Sequence, residues 1–215
     1  MLDTIPYLPY LFSAFIGVGL AAASGFRVFL PIFAVSLASY MGWIPMNESF
    51  HWLAGWSTLV TTGIATLVEI LAYYIPYVDH LLDTMSVPLA TIAGSVLFAS
   101  QFADIGAFPQ WALALIAGGG TAAAISTGFA GTRAASTATT GGLGNSVVAT
   151  TETAGAGIMT FLAMAAPIIA FICAMILIVV VLILGRNIWR KFRNIKSVKT
   201  SKTIDVEEVK RRHLE

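Results

Sequence analysis

Apolar residues run along this chain in long blocks rather than on alternate positions, and block length is the first quantity that predicts structure. A helix needs about 20 apolar residues to cross the hydrocarbon of a bilayer. Four blocks meet that length: residues 53–76, 86–103, 109–127 and 155–185, the last long enough to tilt or to extend beyond the bilayer. A further block, residues 7–42, is too long for one span and is interrupted by Gly17, Gly19, Gly25, Arg27 and Pro31, which predicts two helices or a re-entrant pair. Within 53–76, Thr62, Thr66, Glu69, Tyr73 and Pro76 follow one helical stripe, the expected inward face of that span.

Residues 118–157 depart from this pattern, with 10 Gly and 12 Ser or Thr among 40 positions. Such a segment offers little surface for acyl chains to cover, so it is expected to be enclosed by protein. Two forms satisfy that: helices packed closely through small residues, or a broken helix at a binding site. A nucleotide-binding loop is excluded, because no Gly-Lys-Ser/Thr follows the glycines and no strands alternate with the helices.

Composition fixes the class. Of 215 residues, 57% are apolar and 11% charged, whereas a soluble domain carries about a quarter charged residues. The chain is therefore read as an all-α integral membrane protein with about six membrane helices and two broken or re-entrant segments. A cytosolic enzyme, a disulfide-built secreted domain and a free nucleic-acid binder are excluded, and the single Cys173 offers no disulfide.

The charges divide the chain in two. Residues 1–185 hold only Arg27 and Arg133 against seven acidic residues, while 186–215 hold ten basic and four acidic. This predicts a membrane domain over 1–185 and a basic tail over 186–215, with the C-terminus cytoplasmic by the positive-inside rule. In the tail, Ile188, Trp189, Phe192 and Ile195 lie opposite the bases at helical spacing, which suits an interfacial helix on anionic headgroups or a plain topology anchor. Nucleic acid is not an expected partner. The first ten residues contain no Lys or Arg, so no cleaved signal peptide is expected.

The two irregular stretches echo each other. Ser24, Gly25, Phe26, Arg27 in the first half matches Ala130, Gly131, Thr132, Arg133 in the second, and these are the two arginines of the apolar region. Gly-interrupted segments in two halves are the mark of an inverted-repeat transporter with its site near the midplane. On that reading the repeats cover about 8–103 and 109–185, with helix breaks at Gly25, Pro31 and Gly131.

A guanidinium inside the hydrocarbon is costly and faces a bundle interior or a cavity, so each arginine needs a partner. Arg27 is expected to pair with Glu69, either for ligand binding and proton relay or as a buried ion pair that sets helix register. Arg133 is expected to pair with Glu152, which could instead serve the dipole at a helix start. Arg133 with Ser136, Thr137 and Asn145 makes a candidate oxyanion site, and Glu69 and Glu152 are the candidate proton-coupling residues. Asp79 and Asp83, four apart, suggest a cation site or a solvated connection. His51 and His80 form no metal-ligand pattern and no nucleophile elbow is present, so no metal, cofactor or catalytic residue is expected.

The order of the motifs ASGFRVFLP, VEILAYYIPYVDHLLD and GTRAASTATTGGLGNSVVATTE resembles an uncharacterised family of small bacterial inner-membrane proteins, the domain of unknown function DUF4126, over roughly residues 10–180. The resemblance implies a compact multi-pass domain in the inner membrane and no established activity. A looser analogy links the buried arginines to bacterial polyprenyl-phosphate carriers, where re-entrant hairpins hold a lipid phosphate. The resulting expectation is a non-enzymatic transporter or flippase for an anionic, phosphate-bearing, lipid-linked substrate, coupled to protons. The alternatives are a membrane scaffold, whose tail recruits a partner, and a cation carrier centred on Glu69, Asp79 and Asp83. A homo-oligomer is compatible with each.

Overall fold

The computed structural model describes residues 8–75, 78–102, 105–187 and 190, with the side chains of 79 and 80 left out. Its elements are helices joined by short turns. In chain order they are α1 (Leu8–Phe26), α2 (Phe29–Tyr40), a 3₁₀ helix (Glu48–Ala54), α3 (Trp56–Ala72), α4 (Val78–Ala99), α5 (Ala107–Thr140), α6 (Asn145–Ala165) and α7 (Pro167–Asn187). Five of them are long and apolar enough to cross a bilayer, and the 3₁₀ helix with α3, bent by 59°, makes a sixth. The chain is a multi-pass membrane protein. The candidate tail residues Ile188, Trp189, Phe192 and Ile195, and also Pro76 and Asp104, lie outside the described residues.

The block 7–42 divides as its length demands, with the break at Arg27 and Val28. Gly25 still belongs to α1, where a Cβ would stand 2.7 Å from Ile125 and 2.9 Å from the Ala122 carbonyl oxygen, so its smallness admits a neighbour. Pro31 is the third residue of α2. In a first turn the missing N–H of proline leaves no intrahelical bond unmade, so Pro31 starts a helix and does not break one.

Three expectations are corrected. Gly131 breaks nothing: α5 runs through it, and open space surrounds the position of its absent Cβ. The irregular turn of α5 is a π-helical segment upstream, Ala114–Gly119. Nor is 118–157 enclosed throughout: Gly118, Ala122, Ile125, Arg133 and Glu152 are buried, but other positions are not. Thr132, Thr139, Thr140, Thr150 and Thr151 are exposed, and each hydroxyl donates to the carbonyl four residues back. Bonded to their own helix, these hydroxyls need no enclosing partner. Finally, 155–185 is two helices, interrupted at Ala166 ahead of Pro167.

Close packing through small residues builds the core. Gly17 to Gly25 of α1 are buried without exception, and α1 lies against α4, α5 and α6. Gly94 of α4 and Gly118 of α5 cross so closely that a Cβ on Gly118 would stand 2.6 Å from the Gly94 carbonyl oxygen. Such crossings let backbones approach and gain dispersion contacts where lipid supplies no hydrophobic drive. α2 and α3 form an antiparallel pair, and the Ser36 hydroxyl of α2 donates to the Leu53 carbonyl of the 3₁₀ helix that leads into α3, at 2.6 Å. The first compact unit ends at Ile178 and a second begins at Val179, seven residues ahead of the boundary read from charge.

Candidate functional site

Five helices contribute to one buried charged cluster. Arg27 comes from the end of α1, Glu69 from the last turn of α3 with Tyr73 just beyond, Asp83 from the second turn of α4, Arg133 from the C-terminal half of α5, and Glu152 from the N-terminal half of α6. The two arginines, 106 positions apart in sequence, thus share one site.

Glu152, 1% exposed, is the hub. Its Oε1 accepts from Arg133 Nε at 3.0 Å and its Oε2 accepts from Arg133 Nη2, a two-point pairing that suits a planar guanidinium. The same Oε2 lies 3.8 Å from Arg27 Nη2. Arg133 also donates through Nη1 to Asp83 Oδ1 at 2.9 Å. Asp83, with a side chain 21% exposed, is the outermost member of the cluster. Tyr73 is buried beneath both arginines, whose guanidinium carbons lie 4.1 Å (Arg27) and 3.8 Å (Arg133) from its ring centroid, close enough for cation–π attraction.

Arg27 is 1% exposed and differently served. Its Nε donates to Thr153 Oγ1 at 3.1 Å and its Nη2 to the Ala149 carbonyl at 2.8 Å. Both acceptors are neutral. Its Nη1 has no hydrogen-bond partner among the described residues. The expected direct pair of Arg27 with Glu69 is not formed. Glu69 instead accepts from the backbone N–H of Val28 at 2.8 Å through Oε1 and of Phe29 at 3.0 Å through Oε2. Val28 has no capping side chain, so the α2 N-terminus takes its cap from α3, where a carboxylate also meets the positive end of the dipole.

Of the other candidates, Thr137 accepts from Asn145 Nδ2 at 3.0 Å, and with Ser136 they stand at the α5–α6 turn, one turn beyond Arg133. That turn depends on Gly141 and Gly142, both at positive φ. Asp83 is engaged by Arg133, while the side chain of Asp79 lies outside the described residues. Among the described residues no three His, Cys, Asp or Glu are grouped to hold a metal. Sequence reasoning had the inward stripe of α3, since Thr62, Thr66, Glu69 and Tyr73 are all buried. It missed Thr153 and the Ala149 carbonyl. The signal lay beside Glu152, because α6 turns residues 149, 152 and 153 toward one side.

Beside the cluster is a cavity of about 10 Å³, lined by Tyr73, Asp83, Ser86, Ser126, Arg133 and Glu152 among others. That is room for about one water. On the other side of Tyr73 and Ser86, a cleft of about 160 Å³ separates α3 from α4.

The family model described as a domain of unknown function, DUF4126, matches residues 14–187, and the chain belongs to that family. No curated protein and no solved structure matches it.

Proposed function

We propose that this DUF4126 protein is a proton-coupled membrane carrier for an anionic, phosphate-bearing substrate, with Arg27 and Arg133 as its anion ligands. The observation that carries the reading is Arg27: a buried guanidinium with two neutral acceptors and one nitrogen without a partner among the described residues. Its nearest carboxylate, Glu152, stands 3.8 Å away, and a buried guanidinium nitrogen without an acceptor is costly, so an anion that displaces a carboxylate supplies the acceptor that is missing.

Charge arithmetic makes the binding proton-linked. Two guanidiniums stand with three carboxylates, Glu69, Asp83 and Glu152. An entering phosphate oxygen can take the place of Glu152 between the arginines, and the displaced carboxylate then accepts a proton, becoming a neutral acid. Glu152, shared by both arginines, is better placed for that exchange than Glu69, whose two oxygens hold α2. The cavity of about 10 Å³ admits a water and no phosphate, so the described conformation is the closed state, and Asp83 at the outer edge is the group that must move to open it. No catalytic step is proposed. The basic tail supports the inner (cytoplasmic) membrane, with the C-terminus on the cytoplasmic side.

The test is binding of orthophosphate and of short-chain dioctanoyl phosphatidate to the purified full chain at pH 6 and pH 8. Binding that is tighter at pH 6, lost in Arg27→Ala and Arg133→Ala, and insensitive to pH in Glu152→Gln is expected, with helical content checked in each variant. Absence of binding for both probes, or unchanged binding in folded arginine variants, overturns the assignment.

A further inference from the structure

We infer that the substrate is an anionic lipid, whose acyl chain lies in the cleft between α3 and α4 while its phosphate meets the arginines. This rests on the carrier reading above and adds the substrate class and the route of entry. The argument begins with depth. Exposed Tyr40, Trp43, Trp52 and Trp56 gather at one end of the α2–α3 pair, where amphipathic rings suit a membrane interface. Glu69 lies 13 residues further along α3, about 20 Å away at 1.5 Å per residue. The hydrocarbon layer is about 30 Å thick. The charged cluster therefore stands beyond the midplane and about 10 Å inside the opposite interface, so a lipid phosphate reaches it by sinking that far below its resting level.

The cleft has the orientation an acyl chain requires. On α3 its lining runs from Ala72 and Tyr73 back through Val68 to Ala65, and on α4 from Leu82 to Leu89. Each path covers eight or nine residues, about 10–12 Å, and leads from the depth of the cluster toward the middle of the bilayer. The walls are apolar except for Tyr73 at the end nearest the cluster and for Glu69 and Ser86 about halfway along. Tyr73 and Ser86 also line the small cavity beside Arg133. The ring of Tyr73 thus divides a tail-shaped space from the charged site, and its displacement joins the two. Two helices adjacent in the chain leave this gap because α3 packs chiefly on α2, while α4 packs on α1 and α5. Arg27 stands behind this wall, whose charged residue is Glu69, and its Nη1, which lacks an acceptor among the described residues, is the donor left for the phosphate once Tyr73 is displaced.

The experiment uses the full chain in nanodiscs containing a phosphatidate with a photoreactive group halfway along one acyl chain. Labelling is expected between Ala65 and Ala72 and between Leu82 and Leu89. It should fall at least fivefold in Val68→Trp, which fills the cleft, and in Arg27→Ala, with the melting temperature of each variant recorded. The matching diacylglycerol, which lacks the phosphate, should label these segments no more than other lipid-facing helices. Labelling located elsewhere, or equal for the two lipids, overturns the inference. If orthophosphate binds through Arg27 while the lipid leaves these segments unlabelled, the lipid assignment fails and the anion carrier stands. If neither probe binds, both fail.

Discussion

A buried guanidinium is stable only to the degree that its surroundings supply acceptors and countercharge, and the two arginines here differ in that respect. Arg133 has two carboxylates in contact, whereas Arg27 donates to a hydroxyl and a carbonyl, with Glu152 at 3.8 Å. The contrast makes Arg27 the less committed of the two proposed anion ligands. Removing one partner of a buried ion pair is costly, and less so where the contact is longer. We therefore expect Arg27→Met, whose parent guanidinium lies 3.8 Å from Glu152, to lower the melting temperature less than Arg133→Met, with anion binding lost in both; an equal or larger fall in Arg27→Met would show that Arg27 holds the fold as firmly as Arg133. Glu69 is the opposite case. Glu69→Ala leaves the Val28 and Phe29 N–H groups buried without acceptors, at a cost of about 2 kcal/mol. Thermal unfolding in detergent should register that loss, and a variant as stable as the parent would remove the capping role. The sequence showed which ionisable residues lie in apolar surroundings but not their full pairing: it offered Glu69 to Arg27, whereas Glu152 is the carboxylate that reaches both arginines once the helices are placed.

At the scale of elements, small residues decide how the helices approach. Gly118 and Gly120 are near neighbours in α5, yet a Cβ on Gly118 meets the Gly94 carbonyl at 2.6 Å and Phe98 at 2.5 Å, while one on Gly120 meets open space. Gly118→Ala should separate α4 from α5 and lower stability by about 1–3 kcal/mol, as overpacking does. Gly120→Ala should be neutral or stabilise by up to about 1 kcal/mol, because alanine restricts the unfolded chain and favours helix. Equal effects would mean that the crossing does not depend on Gly118. The span of α3 was legible from block length, and so was a division of the 7–42 block, though not its place at Arg27; α5 runs well past the 109–127 block and 155–185 holds two helices. The π segment of α5 was not, because a run of three glycines allows a bend, a turn or a close crossing alike, and only the partner helix selects among them. Gly131 failed as a break for the same reason: glycine permits an irregular backbone without requiring one.

For the whole molecule, the sharpest geometric claim is that α5, at 34 residues and about 50 Å, exceeds the hydrocarbon thickness and has its ends on opposite sides. Phe108 near its start and Leu143 just after its end are both 86% exposed. In a Cys173→Ala background, Phe108→Cys and Leu143→Cys should react with a membrane-impermeant thiol reagent from opposite faces of the membrane, and reaction of both from one face would remove α5 as a span. The echo between the two arginine segments has no matching backbone, since Arg27 stands at a helix break and Arg133 within a continuous helix. By itself the sequence determined the membrane class, the span and inward stripe of α3 and the placement of both arginines in apolar surroundings, because these follow from local composition and from the cost of burying charge. Only the tertiary structure decided that Arg27, Arg133, Asp83 and Glu152 form one site, that Glu69 caps α2, and that a cleft between α3 and α4 ends at Tyr73, whose ring lies against both arginines. Those are long-range facts: they depend on which helices cross and how closely, and local patterning carries no information about the crossing partner.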